Sequence, residues 1–404
     1  MRTAAKLGLL STLYFSQGLP YGFFTQALPV LLRQQAVSLP AIGLSHLLAL
    51  PWALKFLWAP AVDRLYWPRL GRRRSWIVPL QLLASLTLAA LSQLPPQGGL
   101  APLLAAVLVC NLLAATQDVA TDGLAVDLLS EGERGPGNGV QVAGYRVGMI
   151  AGGGLLLVLH DRLGWQGSFL TMAGLLLLAT LPVLRLREGR ATAAPGVAVR
   201  AALLALLRRP GAWPWLGVLG LYKTGEALAS GMLRAFLVDR GLGLREVGLM
   251  LGGVGFGMGL LGALLGGLLA GRLGRMRALR LLGVVQALSV LGYAAVAFRT
   301  TGLPALYAVC ALEHLASGMA TAALFTAMMD VCRLETGATD YTLQASAVVC
   351  ATGLAAALSG YCAAALGYGA HFLVSTALCA AGAVAAAAGA GAWHALRCTA
   401  AGVE

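Results

Sequence analysis

Apolar stretches of about 20 residues, the length that crosses a hydrocarbon layer at a rise of 1.5 Å per residue, recur along the whole chain. They fall near 8–32, 41–62, 75–94, 101–129, 137–159, 165–184, 213–237, 246–270, 279–298, 303–330, 341–365 and 370–395. The pattern predicts an all-α polytopic membrane protein of about twelve transmembrane helices. The longest interruption, Arg185 to Pro210, carries Arg185, Arg187, Arg190, Arg200, Arg208 and Arg209 and separates six spans from six. It predicts an N-terminal half over 1–184, a cytoplasmic linker over 185–210 and a C-terminal half over 211–404.

Polar residues inside the apolar runs are few and unevenly placed. Span 4 holds Gln117, Asp118 and Asp122 and ends with Asp127. Asp118 and Asp122 stand four apart, so a helix puts them on one face. A charge near the bilayer centre costs roughly 2.5 to 3.5 kcal/mol on insertion scales, which favours a protein-lined or watery interior for both acids. The competing reading is a polar lock between helices. Span 1 carries Gln17 and Gln26, span 7 Lys223 and Glu226, and span 10 Glu313 with His314, while spans 3, 6, 9 and 12 carry essentially no charge. Lys55 in span 2 and Arg146 in span 5 are the remaining internal cations. At 1.5 Å per residue, Asp122 and Asp118 lie roughly 10 and 16 Å from the end of span 4, and Arg146 roughly 13 Å from the start of span 5, so an Arg146 pair with one aspartate is expected. Span 1 also contains Gly18, Pro20, Gly22 and Pro29, which interrupt a helix and free backbone groups. Its Tyr14, Tyr21, Phe23 and Phe24 read either as solute contacts or as a packing stripe.

Composition narrows the class. Of 404 residues, 58% are hydrophobic and 11% charged, outside the range of soluble globular domains. The net charge of +13 does not signal nucleic acid, because Lys and Arg cluster in the short gaps between apolar runs. A cytoplasmic N-terminus puts Arg2, Lys6, Arg64, Arg69, Arg72, Arg73, Arg74, Arg134, the linker, Arg272, Arg275, Arg277, Arg280, Arg333 and Arg397 inside. Only Arg33, Arg162, Arg240, Arg245 and Arg299 fall outside, so both termini are expected in the cytoplasm. The first residues, MRTAAKLGLL, read as the start of a retained span rather than a cleaved leader. Seven cysteines without a CxxC pair read as small buried apolar residues, and no metal or cofactor is expected. HExxH, GxGD and GxSxG are absent, and no catalytic residue is expected. The glycine-rich span 8 reads as close helix packing.

The two halves echo each other, as in transporters built from repeated six-helix units. DRLYWPRLGRRRS follows span 2 and GRLGRMRALR follows span 8, while span 10 ends with Asp330 where span 4 ends with Asp127. This arrangement resembles the major facilitator superfamily, and Asp63-Arg64 with Gly71-Arg72-Arg73-Arg74 is similar to its cytoplasmic loop motif. The resemblance implies that Asp63, Arg72, Arg73 and Asp127 form a cytoplasmic gate network. It also implies that spans 1, 4, 7 and 10 line a central cavity and spans 3, 6, 9 and 12 face lipid.

The strings YFSQGLPYGFFTQALPVLLR, LPWALKFLWAPAVDR, GRRRSW, ATQDVATDGLAVDLL, GNGVQVAGYRVGM and TDYTLQAS look like the AmpG-related branch of that superfamily, and within it most like the RhtX/FptX ferric-siderophore permeases. Carried over by resemblance, the polar motif positions are Gln17, Lys55, Gln117, Asp118, Asp122, Arg146, Asp340, Tyr341 and Gln344. Of these, Gln17, Lys55, Gln117, Asp118, Asp122 and Arg146, together with Lys223, Glu226, Glu313 and His314, give the expected solute and proton pathway. The resemblance implies an inner-membrane importer of a ferric siderophore working by alternating access, expected as a monomer, and the acids Asp118, Asp122, Glu226 and Glu313 motivate coupling to protons. Two alternatives stay open: a muropeptide permease tied to cell-wall recycling and β-lactamase induction, and a membrane sensor that does not transport. A hydroxyl-rich solute is expected to need more Asn, Gln and aromatic stacking than the pathway positions offer.

Overall fold

The computed structural model describes residues 1–28, 48, 50–93, 100–186, 188, 204–299 and 302–400. Pro29, Arg33 and His46, and Arg187, Arg190 and Arg200 of the linker, lie outside these residues. Helix α1, Thr3–Gly22, passes into a π-helical turn at Phe23–Ala27. The break follows Pro20, which removes one backbone donor and crowds the preceding turn. Span 2 is divided into α2, Leu50–Leu54, a 3₁₀ turn at Lys55–Leu57, and α3, Ala59–Arg64. Helices α4, Arg74–Leu91, and α5, Leu100–Leu128, are continuous.

Helix α6, Glu131–Ile150, begins six residues before the expected span 5. The Glu133 carboxylate accepts hydrogen bonds from the Ser130 amide and hydroxyl at 3.0 and 2.9 Å, so the polar stretch Ser130-Glu131-Gly132-Glu133 starts the helix rather than forming a loop. A π turn at Ala151–Leu155 joins α6 to α7, Leu156–Leu184, which Gly164 divides at φ +64°.

The second half continues with α8, Ala212–Tyr222, and α9, Thr224–Asp239, separated at Lys223. Then come α10, Leu244–Val247, a π segment at Gly248–Gly255, and α11, Phe256–Leu273. Helices α12, Arg275–Ala297, and α13, Leu303–Asp330, are continuous. Helix α14, Gly337–Ala388, is divided by Gly367 at φ +75°, and α15, Ala390–Ala400, follows it. Both dividing glycines adopt the left-handed backbone that residues with a β-carbon resist, so each marks a turn between spans.

Among the described residues, seven helices are long and apolar enough to cross a membrane. Expected span 2 is divided at Lys55–Leu57 and expected span 7 at Lys223, and parts of expected spans 1 and 2 lie outside the described residues. Large exposed side chains show what solvates the rest. Leu82, Leu83 and Leu86 of α4, Leu177, Leu178 and Leu181 of α7, and Leu281, Val284 and Leu288 of α12 all stand exposed. Apolar faces of that extent suit a bilayer and not water.

The chain forms two compact units. The first comprises Met1–Leu128, Gly144–Leu203 and Leu334–Thr342; the second comprises Leu129–Ala143, Leu204–Arg333 and Leu343–Glu404. In the first, Phe23, Phe24, Leu88, Leu103, Phe169 and Met172 share a core. Helices α1 and α6 cross there in backbone contact: a β-carbon on Gly148 would come within 2.9 Å of the Gly18 Cα. In the second unit, Phe236, Leu237, Tyr293, Leu306 and Phe372 share a core. Helix α11 packs on α13 in the same close manner, a β-carbon on Gly318 reaching within 2.8 Å of the Ala263 amide.

Candidate functional site

In the first unit the break in span 2 aims Lys55 at α5. Its ammonium donates to Asp118 and stands 4.0 Å from Asp122. Tyr14 of α1 donates its hydroxyl to Asp122 at 2.8 Å. Lys55, Asp118, Asp122 and Tyr14 are all buried. Two residues along α1, the Ser16 hydroxyl accepts from Gln81 at 3.0 Å and Gln117 at 3.1 Å, tying α4 and α5 to α1. Gln17 is fully buried, and neither of its amide atoms has a hydrogen-bond partner among the described residues. Arg146, half-buried on α6, follows Tyr145 directly in the chain.

Beside the Lys55 cluster lies an aromatic group that spacing alone does not reveal. Tyr21, Trp52 and Tyr145 meet with ring centroids 5.4 Å (Tyr21 to Trp52), 5.7 Å (Tyr21 to Tyr145) and 6.3 Å (Trp52 to Tyr145) apart. The Lys55 ammonium is 5.5 Å from the Trp52 ring centroid. Trp52 donates its indole N–H to buried Asn111 at 3.3 Å, and Trp58 donates to Thr116 at 3.1 Å. Rings with polar tips next to a cation are what a site uses to hold the apolar faces of a solute and fix its polar groups.

The second unit has its own polar cluster. Lys223, at the junction of α8 and α9, is 3.0 Å from Glu226 and reaches the Gln286 carbonyl at 3.5 Å and the Ser317 hydroxyl at 3.4 Å. Ser317 donates to Glu226 at 3.2 Å. Gln286 donates to Glu313 at 3.4 Å, and His314 lies 2.9 Å from Glu313. Gln81 and Gln286 lie in spans 3 and 9, which the sequence shows as apolar and uncharged, so residue spacing gave no sign of either contact.

The loop after span 2 closes a third group. Asp63 accepts from Arg72 and Arg73, both at 2.8 Å, and from the Thr339 amide and hydroxyl at 2.8 and 2.6 Å. Arg73 also reaches Asp127 at 2.7 Å. Burial pulls the Arg73 guanidinium down, but Asp127 and Asp63 outweigh it and hold the group above its ordinary value. Arg72 stands below its ordinary value, through burial and then the neighbouring Arg73 charge. Arg72 donates to the backbone carbonyls of Leu334 and Glu335. Arg74 departs from the group and donates to the carbonyls of Leu186 and Leu184.

The second unit repeats the device with fewer acids. Gly271 occupies the place that Asp63 holds in the first copy. Asp330, buried, takes both Arg134 at 2.9 Å and Arg275 at 2.7 Å. Arg275 also donates to the Glu131 carbonyl at 2.6 Å.

The structure thus gathers Lys55, Asp118 and Asp122 with Tyr14, joins Gln117 to Ser16, and leaves Gln17 unpaired nearby. It gathers Lys223, Glu226, Glu313 and His314 into a second group, and Asp63, Arg72, Arg73 and Asp127 into a third. Tyr14, Ser16, Trp52, Tyr145, Ser317 and Thr339 are partners that sequence spacing did not mark as a group, because their contacts are between distant segments.

Comparison with known proteins agrees with this architecture. The sequence profile of the Major Facilitator Superfamily matches residues 10–347. The anhydromuropeptide permease of Escherichia coli (strain K12) is 34% identical over 342 residues, spanning 83% of this chain and 70% of that protein. Two solved structures share the fold: a bacterial homologue of the iron transporter ferroportin (TM-score 0.73, 18% identity, 97% of this chain and 100% of the other) and the transporter FucP (TM-score 0.71, 15% identity, 95% and 98%). The chain belongs to the Major Facilitator Superfamily, in the AmpG-related branch that includes the anhydromuropeptide permease.

Proposed function

We propose that this protein is a secondary importer of the bacterial inner membrane that carries an anhydromuropeptide-like sugar-peptide from periplasm to cytoplasm by alternating access, with both termini cytoplasmic and transport driven by protons. The observation that carries the reading is the Tyr21, Trp52 and Tyr145 group beside Lys55. The C–H faces of a sugar ring suit aromatic surfaces, and a lysine suits a peptide carboxylate. Aromatic stacking that seemed too sparse for a hydroxyl-rich solute is supplied by residues drawn from spans 1, 2 and 5. Of the two cargoes expected from the sequence, the muropeptide is the one named by a similar protein. The ferroportin homologue, at 18% identity, shares the fold alone and lends no weight to iron.

Uptake into right-side-out membrane vesicles, comparing labelled anhydromuropeptide with a labelled ferric siderophore, tests the reading. Muropeptide should accumulate and an uncoupler should abolish the accumulation. Uptake of iron and siderophore together, without muropeptide, would replace this cargo with the other; binding without uptake would replace transport with sensing. Trp52→Leu should raise KM for the solute by about tenfold or more.

A further inference from the structure

We propose that Glu313 and His314 of α13 together form the proton-carrying site, with His314 Nε2 as the atom that takes up the proton. The inference rests on the transporter reading above and assigns to one pair of side chains the coupling that the polar residues of both units were expected to share. Glu313 is buried, and its polar contacts are His314 Nδ1 at 2.9 Å and the Gln286 amide at 3.4 Å. Among the described residues, Lys223 pairs with Glu226 and is linked to Glu313 through Gln286. The charge on Glu313 therefore has an imidazole as its direct counterpart, and an imidazole balances it only while the pair holds one extra proton. Without that proton a bare carboxylate stands in an apolar interior, which such interiors disfavour.

The geometry also assigns the tautomer. His314 Nδ1 faces two acceptors, the Glu313 carboxylate and the Cys310 carbonyl at 3.0 Å, so Nδ1 carries a hydrogen. The lone pair left to accept a proton is on Nε2. That atom points at Gly255 in the π segment, where a β-carbon would lie 2.8 Å from it. The His314 side chain is 22% exposed and that of Glu313 5%, so the proton has an outer and an inner partner. On arrival the proton bonds to Nε2, giving an imidazolium whose Nδ1–H is hydrogen-bonded to ionised Glu313. On departure the same Nε2–H bond breaks, and no other bond changes. Among the described residues, the other titratable groups around the pair are Cys310 on the same helix, Tyr293 of α12, Cys379 of α14 and the Lys223 and Glu226 pair.

Two measurements on the full chain in liposomes test this. Infrared pH titration without any solute should show a one-proton imidazole step that disappears in His314→Gln and moves to lower pH in Glu313→Gln, where the counter-charge is gone. Gly255→Ala, which leaves both groups in place and pushes on Nε2, should shift that step. Persistence of an unchanged step in Glu313→Gln and His314→Gln overturns the proposal whatever the solute proves to be. With whichever solute the vesicle assay identifies, both substitutions should lower gradient-driven accumulation about tenfold or more. Retained accumulation in both variants overturns it as well.

Discussion

Gln17 is buried, and among the described residues neither end of its amide is hydrogen-bonded. An unsatisfied buried amide costs about 1 to 3 kcal/mol, so Gln17→Leu should raise the thermal midpoint by a corresponding amount. If Gln17 serves solute or another conformation, the same variant should transport more slowly; a variant that melts higher and transports normally would leave the amide without a role in the cycle. Lys55 gives the opposite sign. Removing one partner of a buried ion pair typically costs about 3 to 5 kcal/mol, so Lys55→Met should destabilise, and Lys55→Met with Asp118→Asn should recover much of the loss, as read by denaturation in detergent. Arg146 is tested in the same way. Arg146→Ala should impair uptake, and Asp118→Asn or Asp122→Asn should partly restore it if Arg146 neutralises one of these acids.

At the level of elements, interruptions place the site. The 3₁₀ turn that carries Lys55 and the helix junction that carries Lys223 each put a lysine within reach of acids on neighbouring segments. Bilayer-spanning segments tolerate such breaks where the freed groups face protein rather than lipid. The α1 and α6 crossing supplies rigidity next to them. Gly148→Val should introduce a clash with the Phe15 and Gly18 backbone and cost about 1 to 3 kcal/mol or more, seen as a lower melting midpoint and reduced yield of folded protein. The start of α4 is held by Glu188, whose carboxylate accepts from the Arg73 and Arg74 amides at 2.9 and 2.7 Å. A carboxylate at a helix N-terminus contributes about 0.3 to 1 kcal/mol, so Glu188→Ala should lower stability modestly and make residues near Gly71 more open to hydrogen exchange.

At the scale of the whole molecule, each unit carries one arginine-clamped acid on a helix start contributed by the other half of the sequence. Thr339 binds Asp63 in the first unit, and Arg134 binds Asp330 in the second. Asp63→Asn leaves Arg72 and Arg73 short of one counter-charge, and Asp330→Asn leaves Arg134 and Arg275 without theirs. Each should lower the melting midpoint and raise downhill leak of solute in vesicles. A normal melt and normal leak in both would show that the clamps do not hold the protein closed.

Hydropathy periods alone determined that the chain is helical and bilayer-embedded, because a run of about 20 apolar residues has few other uses. The duplicated basic loops and the Asp127 and Asp330 pair made the two-half repeat legible, and intramembrane charge is rare enough that Asp118, Asp122, Glu226 and Glu313 stood out on sight. The start of α6 was also written locally, in the Ser130 and Glu133 cap. What only the tertiary structure decided is which groups meet. Lys55 turns to Asp118 because span 2 breaks there, Tyr21, Trp52 and Tyr145 come together from three segments, and both Arg72 and Arg73 close on Asp63 while Arg74 does not. Such contacts depend on helix crossing, rotation and local breaks, and a one-dimensional pattern records only each residue's own solvent preference and not the side chain that will satisfy it.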